Sequence, residues 1–423
     1  MIDQTSGKKK FEYKWIIVAL SFLMVCVSLG FCSSTKSLFL SPVTEYLGVD
    51  RGAYSINDSC RYIATAVVNL FFGVMVAKFG PKKLILAGVL CLIGSMVIYA
   101  VAANIFLFYL GGILLGVGFS WTTTTMVGYV VNVWCRENKG TIMGAILASN
   151  GIGGAIAMQI VTPIIEGESA GYKTAYFLIS IILAVLFVLL LLFFKDKKAI
   201  AEQNGEESKK SKKRGRDWEG IEWNKIVKKW WFYLALCCVF FTGFVLQGIT
   251  GVSAAHMKDV GIEPSIVATV LSVHSIALAC FKFLTGFIYD KFGLRVTTVV
   301  CSVSAIVIMI LLSVVSGSEL GIVFAFSYGV LSALALPLET IILPIYASDL
   351  FGQKSYGKVL GIIVSVNVAG YALSSPLINL CFDVSGSYNF AFYACAAIMA
   401  IVIIGLQFVI NASNKERKKL LAE

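Results

Sequence analysis

Charged residues and histidines are both scarce in this sequence. Only 14% of its 423 residues are Asp, Glu, Lys or Arg, whereas 58% are hydrophobic, and the mean hydropathy is +0.84. A water-soluble domain of this length needs a more polar composition. Two histidines, with no HExxH, serine–histidine or P-loop pattern, supply little for metal, triad or nucleotide chemistry. These shortages exclude a soluble protein and disfavour an enzyme.

Cysteine is plentiful, but its eleven residues lack the spacing of a metal site or a disulfide framework. Most of them fall inside apolar runs, where a thiol acts as a small apolar group. Examples are Cys26, Cys91, Cys237, Cys238, Cys301 and Cys395. We therefore expect neither a metal nor a cofactor.

The sequence does contain repeated apolar runs of about 20 residues, the length that crosses a hydrocarbon layer of about 30 Å. The first run follows a lysine cluster, but it is too long for a signal-peptide core and no clear cleavage site follows it. We therefore predict an all-α membrane protein with twelve transmembrane helices. The runs cover 15–37, 53–77, 83–103, 106–131, 141–163, 173–195, 230–253, 264–289, 295–316, 319–346, 357–380 and 388–412.

The net charge of +11 is concentrated on one side of the predicted membrane. Lysines and arginines occupy the N-terminus, the loops 2–3, 4–5, 8–9 and 10–11, and the C-terminal tail, whereas the opposite loops carry only Arg51, Lys173 and Lys258 as bases. The positive-inside rule then predicts an inner-membrane protein with both termini in the cytoplasm. The basic segment 196–229 is typical of a cytoplasmic linker, mobile in its first part, that contacts anionic lipids rather than nucleic acid.

Two groups of residues recur at a nearly fixed offset. The first group reappears 213 positions later and the second 217 positions later. Such self-similarity predicts parallel repeats, here residues 1–195 and 230–423 as two six-helix bundles. The matched pairs are Gly73–Gly286, Lys78–Lys291, Gly80–Gly293, Lys82–Arg295, Gly140–Gly357, Gly144–Gly361, Asn150–Asn367 and Gly153–Gly370.

The repeated loop resembles a family signature. The segment GFIYDKFGLR, which contains Asp290, is similar to the G-x-x-x-D-R/K-x-G-x-R/K motif of major facilitator transporters, found between helices 2 and 3 and between helices 8 and 9. The first copy departs from it, because Ala77 stands where the aspartate belongs. Physically, the motif supplies a tight turn, a small residue for close helix contact and charges at helix ends. The resemblance implies the major facilitator fold.

Further segments resemble the monocarboxylate transporter and oxalate:formate antiporter branch of that family, namely KWIIVALSFLM, LGVDRGAYS, AAHMKDVGI and LFGQKSYGKVLG. Lys282 occupies the place of that branch's substrate-binding arginine on helix 8, and Lys36 resembles its helix 1 lysine. Leu278 replaces the acid one turn before the helix 8 cation, which questions the usual proton coupling. Helix 11 lacks the second cation expected of the oxalate carrier, which favours one carboxylate per substrate, although Arg61 could supply that cation.

Ionisable side chains inside transmembrane helices are functional candidates by default. Six candidates stand out, namely Lys36, Asp58, Arg61, His274, Lys282 and Glu339. The repeat offset matches Arg61 with His274 and Asn69 with Lys282, so each half places two polar side chains eight residues apart. We predict that they face one cationic cavity near the membrane midplane.

Each candidate also has a purely structural interpretation. Lys36 could extend to the outer interface, Asp58 could neutralise Arg61, and His274 could be a core residue. Glu339 lies between two prolines that weaken helix 10, and removal from water favours the neutral form of a carboxyl group, which suits proton coupling. The alternative for Glu339 is a structural partner for a lysine.

These observations predict a monomeric secondary transporter of small organic anions, most simply a lactate-, pyruvate- or formate-like monocarboxylate, working by proton symport or anion exchange. Glu339 and His274 are the expected coupling residues. A dicarboxylate antiporter, a drug or metabolite efflux carrier and a membrane-embedded enzyme or sensor are the alternatives. Helix 5 has no proline after Gly151 and the predicted cavity is positively charged, both of which weaken the drug-efflux alternative.

Overall fold

The computed structural model describes residues 13–49, 51–135, 137–167, 171–196 and 218–422. All regular secondary structure within these ranges is helical. Eleven segments are long and apolar enough to cross a membrane, and a bent pair of helices makes the twelfth. The predicted all-α membrane architecture with twelve spans is thereby confirmed, and we name the spans TM1 to TM12.

The first six spans contain three interruptions: a π-helical turn in TM1, a 62° bend in TM2 and a break at Thr123 in TM4. The helices are Lys14–Leu29, Gly30–Ser34 and Lys36–Leu47 (TM1), Arg51–Leu70 and Phe72–Phe79 (TM2), Pro81–Val101 (TM3), Ile105–Thr122 and Thr124–Trp134 (TM4), Lys139–Gly167 (TM5) and Gly171–Phe193 (TM6).

The last six spans are interrupted only in TM10, and a short helix, Trp223–Ile226, precedes them in the linker. Their helices are Trp230–Asp259 (TM7), Pro264–Phe292 (TM8), Leu294–Val314 (TM9), Glu319–Ala335, Pro337–Thr340 and Ile342–Phe351 (TM10), Tyr356–Ser385 (TM11) and Asn389–Ala422 (TM12). The break in TM10 lies beside Pro337, which has no N–H to donate to the preceding turn.

TM1 is longer than its apolar run predicts. The run ends at residue 37, but the helix continues to Leu47, where Gly48 ends it in the left-handed conformation at φ 62°. Hydropathy misses this extension because it is more polar and contains Pro42. Lys36 therefore lies well inside the helical span rather than at its outer end, directly after the π-helical turn. Such turns occur frequently at functional sites.

Helix pairings in the first half recur in the second half six spans later. TM1 packs on TM5, TM2 on TM4 and TM3 on TM6, and likewise TM7 packs on TM11, TM8 on TM10 and TM9 on TM12. The two bundles meet where TM2 crosses TM11 and where TM5 crosses TM8. This repetition confirms the predicted pair of six-helix bundles, whereas their boundaries at 195 and 230 stay a prediction.

The start of TM1 and the end of TM12 lie at the same end of the bundle as the linker. The Tyr13 hydroxyl donates to the Phe193 carbonyl oxygen, and Lys229 forms a 2.8 Å ion pair with Glu416 of TM12. We call this the linker end. The linker itself is described from Trp218 onward, and the predicted mobile part, 197–217, lies outside the described residues.

Candidate functional site

A cavity lies within the first half, between TM1, TM2, TM3, TM4 and TM6, and contains three charged side chains. Lys36 enters from TM1, and Asp58 and Arg61 enter from TM2. Its walls are largely apolar and aromatic, with hydroxyl groups among them. The wall residues include Phe31, Phe39, Tyr54, Met96, Tyr99, Leu115 and Tyr176.

Asp58 lies between the two cations. Its Oδ2 forms an ion pair with Lys36 Nζ, and its Oδ1 lies 3.3 Å from Arg61 Nη2. The side chains keep 28% (Asp58), 33% (Lys36) and 13% (Arg61) of their surface exposed, so the cluster is only partly removed from water. With two cations and one carboxylate, it carries one excess positive charge when all three groups are ionised.

The Arg61 guanidinium is held on both sides by aromatic rings, 4.4 Å from the ring centre of Tyr62 and 5.7 Å from that of Phe119. Such contacts stabilise a cation without a hydrogen bond. Arg61 Nε is buried and has no hydrogen-bond partner among the described residues. The guanidinium therefore keeps an unused donor.

Two tyrosines of the cavity wall are held in place by hydrogen-bond and stacking contacts. The Tyr99 hydroxyl donates to Asn57 Oδ1 at 3.0 Å, and the Tyr99 ring stacks on Phe108 at 4.9 Å. Tyr176 stacks on Phe39 of TM1 with ring centres 3.9 Å apart. Aromatic stacking holds side chains in one rotamer, so the wall next to the charged cluster is preorganised.

The second half holds the other predicted cations. Lys282 is only 6% exposed, and its ammonium donates to the Leu147 carbonyl oxygen of TM5 at 3.4 Å. Among the described residues, no carboxylate lies within ion-pair distance of it. His274 Nδ1 lies 2.7 Å from Ser332 Oγ and 3.1 Å from the Gly329 carbonyl oxygen, both on TM10.

Glu339 occupies the short middle helix of TM10 and is 6% exposed. The Tyr371 hydroxyl of TM11 lies within hydrogen-bonding reach of its carboxyl group, whereas Oε1 has no partner among the described residues. The Tyr371 ring also meets the Tyr62 ring edge-on, with centres 5.9 Å apart. An aromatic contact thus links the surroundings of Arg61 to those of Glu339 across the two halves.

The single cavity predicted for the four polar residues stays a prediction. Arg61 lines the cavity of the first half, but Asn69, His274 and Lys282 are not among its lining residues. Asn69 is 1% exposed, and neither polar atom of its amide has a partner among the described residues. The backbone of Asn69 packs on Gly361 of TM11. Helical spacing placed Arg61 and Asn69 on one face, but that face is shared between a cavity and a helix contact.

The two signature loops make equivalent turns. Gly80 and Gly293 adopt φ values of 78° and 83°, which only glycine tolerates readily, between TM2 and TM3 and between TM8 and TM9. Asp290 Oδ2 accepts hydrogen bonds from Thr141 N and Thr141 Oγ1, each at 2.7 Å, and its Oδ1 accepts one from Gly140 N at 3.1 Å. The aspartate of the second copy therefore caps the start of TM5.

The cations of the signature loops have different neighbours. The Lys78 and Lys291 ammonium groups lie over the adjacent rings of Phe79 and Phe292. Arg295 donates to the side-chain oxygen of Asn411 on TM12. These groups thus sit at helix ends, as the motif predicts.

Comparison with known families identifies the architecture. The family model described as Major Facilitator Superfamily matches residues 18–338 and 236–423, which together span nearly the whole chain. The chain belongs to the Major Facilitator Superfamily. It is therefore a secondary transporter, because the members of this family are transporters rather than enzymes.

Relatives within the Major Facilitator Superfamily are distant in sequence. The uncharacterized MFS-type transporter YcxA of Bacillus subtilis is 24% identical over 94% of each chain. The oxalate:formate antiporter of Oxalobacter formigenes is 21% identical over 96% of this chain and 94% of its own length. A crystal structure of a double-tryptophan mutant of XylE superposes with a TM-score of 0.77 at 12% identity, covering 94% of this chain and 96% of that one. The last similarity establishes the fold alone.

Sequence reasoning missed two features of this transporter. Asp58 was expected to neutralise Arg61 on its own helix, but it also pairs with Lys36 on TM1. Tyr371 beside Glu339 was not identified, because a tyrosine in an apolar run carries no distinguishing pattern. Both are contacts between helices, which depend on how each helix is rotated about its own axis.

Proposed function

We propose that this transporter carries a small organic anion, most simply a monocarboxylate, by alternating access. The observation that carries the proposal is Lys282, a buried ammonium on TM8 whose only partner among the described residues is a backbone carbonyl. An ammonium removed from water without a counter-ion is costly, and a substrate carboxylate would remove that cost. Intramembrane charges of this kind are typical of substrate pathways.

The charged groups of the first half support the same substrate class. Lys36 and Arg61 share one carboxylate, Asp58, so this cluster also has an excess positive charge. A cationic substrate would be repelled by both halves. We propose that Lys36 and Arg61 contribute to anion recognition and that Asn69, whose amide is unsatisfied, is a polar contact on the TM11 side. The similarity to a transporter named for oxalate and formate agrees with a carboxylate substrate.

The coupling ion in this proposal is a proton. Glu339 is buried, with one carboxyl oxygen free of partners among the described residues, and removal from water disfavours its charged form. His274, whose Nδ1 lies within hydrogen-bonding distance of Ser332 Oγ, is the second candidate for the proton-carrying group. Proton symport and anion exchange differ in whether such a group must change its charge during the cycle.

We propose that the carrier lies in the inner membrane with its linker end facing the cytoplasm, as the positions of the basic loops predict. Both crossings between the halves are closed at this end, where Gly73 packs on Gly357 and Gly286 packs on Gly140. Asn132 of TM4 and Gln353 of the TM10–TM11 loop add a reciprocal amide pair, at 2.5 and 3.0 Å. Access in this conformation would therefore be from the opposite end, and the cycle would require these contacts to separate.

Uptake of radiolabelled lactate, pyruvate, formate and oxalate into liposomes that contain the purified protein tests the proposal. We expect saturable uptake of at least one monocarboxylate, stimulated by an inward proton gradient. Carboxylate exchange that a proton gradient does not stimulate would identify an exchanger, and preference for oxalate would identify a dicarboxylate carrier. Transport of cationic drugs alone would identify an efflux carrier. The last of these results, or no transport at all, would contradict the proposal.

Lys282→Gln is expected to lower carboxylate uptake by about 30-fold or more, because loss of one partner of a buried charge pair costs about 2–5 kcal/mol. Lys282→Arg should keep part of the activity, since it keeps the charge. The matched control is Lys258→Gln at the exposed end of TM7. Wild-type uptake by the Lys282→Gln variant would show that this lysine is structural.

A further inference from the structure

The charged cluster of the first half has features that a structural ion pair does not need. Asp58 lies between cations from two helices, Lys36 and Arg61, at a cavity rather than in a packed interface. Arg61 keeps a buried N–H donor without a partner among the described residues. An ion pair that served only to stabilise TM1 against TM2 would require neither the second cation nor the adjoining cavity.

We infer that the cluster of Lys36, Asp58 and Arg61 is a combined binding site for one carboxylate anion and one proton, in which Asp58 accepts the proton and the substrate carboxylate takes its place between the two cations. This inference rests on the proposed transport of carboxylates and assigns the coupling proton to Asp58 rather than to Glu339 or His274.

Charge balance supports the coupling. The empty cluster, with two cations and one carboxylate, carries a net charge of one positive. A proton on Asp58 together with a bound carboxylate leaves that net charge unchanged, whereas the anion alone would cancel it and the proton alone would raise it to two. Because Asp58 and the anion compete for the same cations, protonation of Asp58 must favour anion binding, and anion binding must favour protonation to the same extent.

Among the residues that line the cavity, Asp58 is the one with a carboxyl group. TM4 contributes Leu115 to the cavity and Phe119 beside Arg61, neither of which is titratable. The ordinary pKa values of thiols, tyrosines, lysine and arginine all lie above 8. The other titratable groups that line the cavity are Cys32, Lys36, Tyr54, Arg61, Tyr99 and Tyr176.

The cavity lining combines charged and apolar groups. The three charged side chains share it with Phe31, Phe39 and Leu115, so a carboxylate with a short apolar body would find both kinds of contact there.

The experiment measures proton uptake on anion binding. Lactate or pyruvate is added to the purified wild-type protein in weakly buffered detergent solution, and both the bound anion and the change in bulk pH are recorded. We expect about one proton to be taken up for each anion bound, at a pH where Asp58 is ionised in the empty protein. The apparent affinity should then fall about tenfold for each unit of rising pH.

Asp58→Asn imitates the protonated carboxyl and should bind the same anion with an affinity that no longer depends on pH and without proton uptake. Asp259→Asn, at an exposed position, is the matched control and should retain both properties. Glu339→Gln tests the alternative assignment of the coupling proton. Lys36→Gln should bind the anion at least tenfold more weakly at every pH. If Asp58→Asn is not monodisperse, Asp58→Glu replaces it and must keep the proton uptake with a shifted midpoint.

The possible failures are distinguishable. Anion binding by wild-type protein without proton uptake, or proton uptake that disappears in Glu339→Gln but persists in Asp58→Asn, would overturn this inference and leave carboxylate transport intact. If the wild-type protein neither binds nor transports any carboxylate of the panel, the proposed function fails, and the inference fails with it.

Discussion

The two crossings between the halves share the same close glycine contacts. They differ in the groups that fix the neighbouring helix ends at the linker end. At the TM5–TM8 crossing, Gly286 packs on Gly140, and Asp290 caps the start of TM5. At the TM2–TM11 crossing, Gly73 packs on Gly357, but Ala77 replaces the aspartate. The close glycine contacts are thus kept in both copies, whereas the charged cap is present in only one.

The linker occupies the end of TM11 that lacks this cap. The Ser355 hydroxyl donates to the Ile221 carbonyl oxygen at 3.0 Å instead of capping its own helix. Lys354 N donates to the Glu219 carbonyl oxygen at 2.8 Å, and the Lys354 ammonium pairs with Glu222 at 2.5 Å. Trp218, which is 5% exposed, donates from its indole to the Asp349 carbonyl oxygen at 3.3 Å. We call residues 218–226 the linker strap.

The comparison shows that a repeat can keep its geometry while it changes how a helix end is fixed. Close backbone contact requires glycine, because a Cβ at Gly73 or Gly286 would fall on backbone atoms of the other half. A helix N-terminus needs only some hydrogen-bond acceptor or a packed neighbour, and several residue types can supply one. The glycines are therefore less replaceable than the aspartate.

The largest effect is expected from Gly73→Ala and Gly286→Ala. Each adds a Cβ against backbone of the opposite half, so we expect the linker end to close poorly, with a loss of about 1–3 kcal/mol in stability and most of the transport rate. The thermal midpoint of the purified protein and uptake in liposomes measure the two effects. Gly94→Ala is the control, since its added Cβ would meet only Leu114 Cδ1 at 3.8 Å. Equal stability of all three variants would contradict the comparison.

Trp218→Ala should have the next largest effect, because it removes the buried anchor of the linker strap. We expect a loss of up to about 3 kcal/mol, the lower end for truncation of a buried tryptophan, and proteolysis of the linker at lower protease concentrations. Trp230→Ala, at an exposed position, is the matched control. Wild-type protease resistance in Trp218→Ala would show that the strap is not held by this residue.

An exchange of the aspartate between the two crossings tests the cap itself. Asp290→Ala should destabilise the protein by about 0.5–2 kcal/mol, the usual cost of losing a helix cap, and Ala77→Asp should stabilise it by a smaller amount. The repeat places the new carboxylate at the amides of Gly357 and Lys358. In the Ala77→Asp background, Trp218→Ala should cost less than in the wild type, and the double-mutant cycle measures the difference. Strict additivity would mean that the strap and the missing cap are unrelated.

The smallest effect is expected at Glu222. The Lys354 ammonium, through its hydrogen bond and its charge, lowers the pKa of Glu222, with Lys225 adding to the effect. Because the pKa is lower in the folded protein, the pair stabilises above the ordinary glutamate pKa of about 4.3, and this contribution is lost as the pH falls through the folded value. Glu222→Gln should therefore have a slightly lower thermal midpoint than the wild type at pH 7 and low salt. The difference should vanish in high salt, or once the pH has fallen below the lowered pKa of Glu222, and its persistence there would contradict this explanation.

The sequence by itself determined the features that depend on local composition. Twelve spans follow from apolar runs of membrane length, and the repeat follows from glycines at a fixed offset. The turns at Gly80 and Gly293 follow from positive φ values that only glycine adopts readily. Of the site, the sequence identified the six candidate ionisable side chains, since such residues stand out in an apolar run.

Only the tertiary structure decided which of these side chains meet. Lys36 and Asp58 belong to different helices, so their contact depends on the helical extension of TM1 and on the rotation of TM2, neither of which hydropathy encodes. The same reason explains why Asn69 lies against TM11 while Arg61, eight residues earlier, lines a cavity. The attachment of the linker strap beside TM11 likewise combines backbone hydrogen bonds with side-chain contacts between segments that are distant in sequence, and no local sequence pattern indicates such contacts.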